Sequence, residues 1–234
     1  ALLFTDGCVS PKGVHSFRIY FLNKSEVLVQ LFKNCMIKVF KLPKKRVRIR
    51  IRWGQYPQAV VDSKEIGKAL VGQYGTFRTL RLKNGKITNA QLPIAQLQMS
   101  GYAGEFLKVA FSCDGGISFY PATRSGPQGG TKWLIRTVFL ACTHPKLRQD
   151  YLTLLQNLGI RVRDVPGDGK IKIETEKDIK KFYAKIGFLK GVEVTNHSKF
   201  WRGVTKQEVL EHLVASYVSP REVYNLPRFS EVMR

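Results

Sequence analysis

Acidic residues are scarce in this chain of 234 residues: 17 Asp+Glu stand against 39 Lys+Arg, a formal net charge of +22. That excess is beyond what solubility requires and points to a polyanionic partner. Cysteine is sparse as well. Cys8, Cys35, Cys113 and Cys142 are scattered with no pair at CxxC spacing, which excludes zinc-ribbon and thioredoxin-like readings and leaves reduced, intracellular thiols. His15, His144, His197 and His212 make no HxxxH or HExxH helix face for zinc. No GxxxxGK[ST] string occurs, so nucleotide-driven remodelling has no support. No run approaches the roughly 18 apolar residues that cross a bilayer, and no signal-peptide pattern is visible. The expectation is an intracellular, non-secreted protein with no membrane partner.

What the chain does hold is 44% hydrophobic and 11% aromatic residues, enough for one large core or two small ones. Lys and Arg alternate with Val, Ile, Phe and Trp, so the positive charge is carried on folded elements and not on a polar tail. Period-2 alternation from Arg46 to Trp53 puts Arg46, Arg48, Arg50 and Arg52 on one side of a strand and Val47, Ile49, Ile51 and Trp53 on the other. Arg161-Val162-Arg163 and Lys170-Ile171-Lys172-Ile173 flank the Asp168-Gly169 turn signal and predict a hairpin. Neither arginine-lysine face contains an acid, which favours nucleic-acid contact over a charged solvent face.

The order of elements repeats. Helices are predicted from Ser25 and from Pro145 to Leu158, where Gly159 stops the second. A further pair opens at Ser63 and Thr175, each after a strand-like run. Arg18-Ile19-Tyr20-Phe21-Leu22 parallels Arg136-Thr137-Val138-Phe139-Leu140. The period exceeds that of solenoids, so two tandem copies of one α/β unit are predicted. Each copy begins with an apolar helical end closing in Asp-Gly: Ala1 to Gly7, followed by Cys8-Val9-Ser10, and Val109 to Gly115, followed by Gly116-Ile117-Ser118.

With these two strings the chain resembles the LAGLIDADG homing endonucleases, in their single-chain form with two motif copies. Asp6 and Asp114 match the motif's last acid and Gly7 and Gly115 its last glycine, whereas Phe4 and Ser112 replace its first acid and Val109 stands where a small glycine is usual. The resemblance implies an α/β (α+β) fold of two pseudo-symmetric αββαββα repeats whose antiparallel strands form a DNA-binding saddle. Residues 1–74 would be the first half, 75–100 a linker with a small hairpin at Asn84-Gly85, 101–203 the second half, and 204–234 a C-terminal helix and tail. The glycine-rich segment Gly126 to Gly130 would be a loop at the end of the saddle.

The same resemblance implies a function: a monomeric, intron-encoded enzyme that makes a staggered double-strand break in a long asymmetric DNA target. Because the chain neither opens on a nucleophile nor ends in His-Asn, a free-standing enzyme is preferred to an intein. Two carboxylates at close range call for cations. Magnesium, or another divalent ion such as manganese, would be held by Asp6, Asp114 and the carbonyls of Thr5 and Cys113. Lys190 in the second half and Arg78 in the first are the basic residues expected beside them. DNA contacts are expected from Arg18, Arg46, Arg48, Arg50, Arg52, Lys132, Arg136, Arg161, Arg163, Lys170 and Lys172. Double-stranded DNA is the expected partner, with intron RNA a second. The competing reading is a DNA-binding regulator or RNA-splicing maturase that has lost cleavage. Asp62-Ser63-Lys64 and Asp168-Gly169-Lys170 would suit a restriction-type site, but both fall where the repeat demands a turn or a helix start.

Overall fold

A computed structural model of the chain describes all residues except 14, 15, 53, 55, 78–86, 125–130, 196, 197, 221, 223, 224 and 230–234, and no side chain at 124, 131 and 132. Trp53, Arg78, His15, His197, the Asn84-Gly85 turn, the Gly126 to Gly130 loop and the side chain of Lys132 therefore lie outside the described residues.

A 3-10 turn over Leu2–Phe4 leads into β1 (Gly7–Lys12), β2 (Ser16–Leu22), α1 (Glu26–Val39), β3 (Arg48–Arg52), β4 (Tyr56–Asp62) and α2 (Lys64–Tyr74). A short helix, α3 (Ile94–Met99), falls between the halves. The second half runs α4 (Ala103–Asp114), β5 (Gly115–Arg124), β6 (Thr131–Ala141), α5 (Pro145–Asn157), β7 (Arg163–Val165), β8 (Lys170–Ile173) and α6 (Glu176–Lys185), after which comes α7 (Lys206–Ala215). Two four-stranded antiparallel sheets result, ordered β1-β2-β4-β3 and β5-β6-β8-β7. Their topology is the same, so the chain holds two copies of one α+β unit.

Local chemistry explains the boundaries. Ser63 accepts a hydrogen bond from the Ile66 N–H at the start of α2, and Thr175 accepts one from Asp178 at the start of α6. His144 caps α5 through a ring nitrogen that accepts from the Leu147 N–H, with Pro145 in the first turn. Gly159, at φ 74°, follows the end of that helix. Ser25 caps α1 without a side-chain bond; its own N–H donates to Asn23 Oδ1 at 2.8 Å. The hairpin predicted around Asp168-Gly169 is β7–β8, with Gly169 in the left-handed region.

The Asp-Gly strings have a packing reason. A Cβ on Gly7 would lie 2.6 Å from Leu3 Cα, and one on Gly115 would lie 2.4 Å from the Phe111 carbonyl oxygen. Only glycine lets each strand leave directly beneath the helical turn that carries the acid.

Register corrects two expectations. Gly7 stands opposite Phe21 and Gly115 opposite Leu140, so Phe21 is the counterpart of Leu140 and Arg18 that of Thr137. The string likeness of Arg18–Leu22 to Arg136–Leu140 is thus one residue out of step, and in a strand one residue reverses the face. Arg136 lies on the inner side with the buried Leu134, Val138 and Leu140. Its guanidinium donates to Ser216 Oγ (2.8 Å) and O (2.9 Å) and stacks on Tyr217. Arg46, the other correction, closes a 3-10 turn over Lys44–Arg46, outside the strand with Arg48, Arg50 and Arg52.

A contiguous apolar core spans both halves. β8 pairs only with Val138 to Ala141 of β6, whereas β5 pairs along β6 from Leu140 out to Thr131. The far end of the β5–β6 hairpin is covered by the C-terminal segments instead. Trp201 stacks on Phe119 and its indole N–H donates to the Phe119 carbonyl; Phe229, fully buried, packs edge-on against both rings. Among the described residues, no helix is long and apolar enough to cross a membrane.

Candidate active site and nucleic-acid interface

Asp6 and Asp114 follow equivalent helical ends and line one cleft of about 670 Å³, together with Asn23, Glu193, Ser112, Cys113 and Lys206. Asn23, just after β2, is fixed on both sides. Its Nδ2 donates to Asp6 Oδ2 at 2.7 Å while its Oδ1 accepts from the Ser25 N–H. Lys206 opens α7 and is buried. Its Nζ donates to the carbonyls of Ser112 (2.8 Å) and Gly115 (2.7 Å) at the C-terminal end of α4, the end where a helix concentrates negative potential.

Burial sets the electrostatics. It raises the Asp6 carboxyl above its ordinary 3.8, against the Asn23 hydrogen bond and the Lys206 charge. Burial, reinforced by the Asp6 charge and opposed by Lys206, pushes Asp114 up to about 7. Lys206 in turn is pulled down to about 8 by burial, against the attraction of Cys113, Asp114 and Asp6. One ammonium thus faces two carboxylates that desolvation keeps from ionising cheaply, and a further cation would relieve the remainder.

The donor set fits a hard divalent ion. Two carboxylates and helix-end carbonyls are oxygen ligands of the kind that magnesium takes, and water and phosphate can fill the remaining positions. No group of three or more His, Cys, Asp or Glu able to hold a metal exists among the described residues. Cys113 lines the cleft, but burial pushes its thiol up to about 12, so at neutral pH it offers no thiolate. Thr5, whose hydroxyl donates to the Leu2 carbonyl, does not line the cleft. Lys190 is exposed on the turn before Gly191 and is not a lining residue either.

Lys206 and Asn23 are the site residues that sequence reasoning missed. A signal for the first existed. Thr205 and Glu208 form a capping box, a spacing that marks a helix start, and a lysine at the first helical position opposes the helix dipole. A cation placed there against local preference serves something outside the helix. Asn23 carried no comparable mark.

The outer side of the first sheet presents Lys12, Arg18, Arg48, Arg50 and Arg52, which alternate with the inward Phe17, Ile19, Phe21, Ala59 and Val61. These cations are organised by two residues of β4. Asp62 accepts from Lys12 (2.7 Å), Arg18 (3.0 Å) and Arg48 (3.1 Å). The Arg18 hydrogen bond, with Lys12 behind it, holds that carboxyl down to about 2. Gln58 Oε1 accepts from Arg50 Nε (2.8 Å) and Arg52 Nε (3.4 Å). β3 is an edge strand, so its inward Ile49 and Ile51 remain 37% and 61% exposed.

On the second sheet Arg163 pairs with both oxygens of Glu174 (2.7 and 2.8 Å), Lys172 reaches Asp168 at 3.3 Å, and Lys170 sits 5.1 Å from the Phe139 ring centroid. Arg161 lies outside the strand; its backbone N–H and Nε donate to the buried Asp178.

No protein-family model matches the sequence, and no curated protein matches it. Solved structures do. LAGLIDADG meganuclease I-AabMI bound to uncleaved DNA is 12% identical, with 97% of this chain and 91% of that chain covered at a TM-score of 0.52. The I-SmaMI LAGLIDADG homing endonuclease bound to cleaved DNA is 9% identical, with coverages of 100% and 92% and a TM-score of 0.50. A variant of I-DmoI in complex with its target DNA in the presence of magnesium is 15% identical, covering 79% and 90% at a TM-score of 0.50. Identities this low speak to architecture, and the architecture agrees in both repeats: this chain has the two-repeat fold of the LAGLIDADG homing endonucleases.

Proposed function

We propose that the protein is a site-specific DNA endonuclease that makes a staggered double-strand break in a long asymmetric target by divalent-metal-dependent phosphodiester hydrolysis. One observation carries this reading. Two half-buried carboxylates from the ends of two equivalent helical segments share a cleft with a buried lysine, on a scaffold whose sheets expose clustered cations. The solved structures of the same fold that are bound to DNA, one of them in the presence of magnesium, support it.

Asp6 and Asp114, with the Cys113 carbonyl, would hold magnesium or manganese; when bound, such ions polarise the scissile phosphates and lower the pKa of the attacking water. The chain's own residues do the rest. Asn23 orients the Asp6 carboxylate by donating to one of its oxygens, and Lys206 offsets the negative charge shared by the two acids and the end of α4. Lys206 takes the place that sequence reasoning gave to Lys190. The outer faces of the two sheets hold the duplex by its phosphates and base edges. Incubation with a library of duplex targets and magnesium, scored for double-strand breaks with overhanging ends, tests the reading; no cleavage of any duplex would end it.

Two further results are expected. Because one chain carries both acids, sedimentation should find a single protein on each duplex; an obligate dimer on a palindromic site would contradict this. Alanine at Arg48, Arg50 or Arg52 should separate two kinds of contact. Loss of a phosphate contact flattens the slope of log affinity against log salt by roughly 0.9 and weakens all sequences alike. Loss of a bidentate guanine contact costs about 1–3 kcal/mol at one base position. At least one of the three should behave in the second way, and three variants indistinguishable from wild type in affinity, salt slope and specificity would make this face solvated surface.

A further inference from the structure

The outer faces of the two sheets share a topology and differ in chemistry. Between Gly116 and Ala122 of β5 and Trp133 and Phe139 of β6, cross-strand pairs on the outer side are Gly116–Phe139, Ser118–Thr137, Tyr120–Ile135 and Ala122–Trp133. These residues alternate with the buried Phe119, Pro121, Leu134 and Val138, which fixes them on the solvent side. None is charged. Tyr120 and Trp133 are each 38% exposed, and Ala122, Ile135, Thr137 and Phe139 are half-buried. Phe139 lies across the sheet surface over Gly116, where a Cβ would come within 2.6 Å of its ring.

An uncharged, largely apolar strip is unusual on a chain with a net charge of +22 and marks a surface that meets something apolar. Two features say what. The strip is continuous with the catalytic cleft, because β5 leaves directly from Asp114, and the cationic Lys170 and Lys172 border it on β8. It is also a two-stranded ribbon, the shape that the major groove admits. The apolar group on a major-groove edge is the C5 methyl of thymine, which side chains such as Ala, Thr and Phe contact, whereas guanine presents acceptors suited to arginine.

We propose that the β5–β6 hairpin reads thymine methyl groups, with Ala122, Trp133, Ile135 and Thr137 as specificity-determining residues. The half of the target under the second sheet is accordingly rich in A·T pairs, and the half under the first is read by arginine. The inference rests on the DNA-binding reading above and adds the base chemistry to it. The hairpin is held for such a task. Trp201 and Phe229 pack beneath Phe119, and Arg136 ties β6 to Ser216 at the end of α7, so its outer face does not depend on DNA for its position.

The test uses the whole chain and a duplex library with a randomised centre, selected for binding without magnesium. In the selected duplex, thymines are then replaced singly by deoxyuridine, which lacks only the methyl. Removing a methyl buried against the hairpin should weaken binding about fourfold, at thymines confined to one half of the site. In Trp133→Ala and Ile135→Ala proteins, thymine and deoxyuridine should bind alike at those positions. Arg50→Ala should weaken binding while keeping the thymine-to-deoxyuridine ratio. A selected duplex indifferent to every replacement, or a methyl effect that persists in both hairpin variants, overturns the inference and leaves DNA binding standing. A library that enriches no sequence would overturn both.

Discussion

Asp6→Asn and Asp114→Asn should each lower DNA cleavage by more than about 100-fold, beyond the loss expected for an outer-shell partner of a metal ligand, and the double variant should not cut. Binding to the selected duplex should survive in all three. Asparagine preserves the shape and one oxygen while removing the charge that holds a divalent ion, and the acids lie in the cleft, apart from the sheet faces that grip DNA. The paired measurement is cleavage in magnesium alongside affinity in its absence. A double variant that still cut at the wild-type rate would remove both carboxylates from the chemistry. Asn23→Ala gives a graded companion, because it leaves the Asp6 carboxylate in place and takes away the 2.7 Å hydrogen bond that orients it.

Lys206→Met should lower cleavage by about 100- to 1,000-fold, the range seen when one preorganised donor is lost from a catalytic site, and it should also move the pH dependence. Lys206 holds Asp114 down, so without it that acid titrates higher than about 7 and the rising limb of the cleavage profile shifts to higher pH. Stability of the metal-free protein gives a second readout. Asp114 has its folded pKa raised from 3.8, so its contribution is fully present below about pH 4 and is lost as pH rises through 7. Lys206 has its folded pKa depressed from 10.5, so its contribution is present above about pH 10.5 and is lost as pH falls through 8. Both penalties apply between pH 7 and 8. Thermal unfolding should therefore show the wild type gaining stability relative to Lys206→Met on going from pH 8 toward 10. The difference between the two proteins is what is measured, because the loss from other groups such as the Cys113 and Cys142 thiols, whose pKa values burial raises, is common to both to first order. The variant also leaves the Ser112 and Gly115 carbonyls without this donor, at a cost of about 1–3 kcal/mol for each that stays buried and unsatisfied. A role limited to packing would reproduce that loss of stability without moving the cleavage profile.

The sequence by itself determined the architecture: two repeats, the helix starts at Ser63 and Thr175, the β7–β8 hairpin, and the placement of an acid and a glycine at each helical end. These features are local. Alternation, capping hydroxyls and the steric need for glycine beneath a helical turn act over a few residues and are written where they act. The arginines of β3 were legible for the same reason, except at Arg46, where a turn replaced the strand's first residue. What only the tertiary structure decided was which side chains meet. The string likeness of Arg18–Leu22 to Arg136–Leu140 hid a one-residue offset, because the face of a strand is set by pairing with distant strands and a single step turns every side chain over. Lys190 lies close in sequence to the cleft's lining and yet remains outside it, whereas Lys206, which arrives on a separate helix, is carried in. Its ammonium settles where burial would be prohibitive without the two carbonyls and the two carboxylates already gathered there, and that balance of desolvation against long-range attraction exists only once the halves have packed.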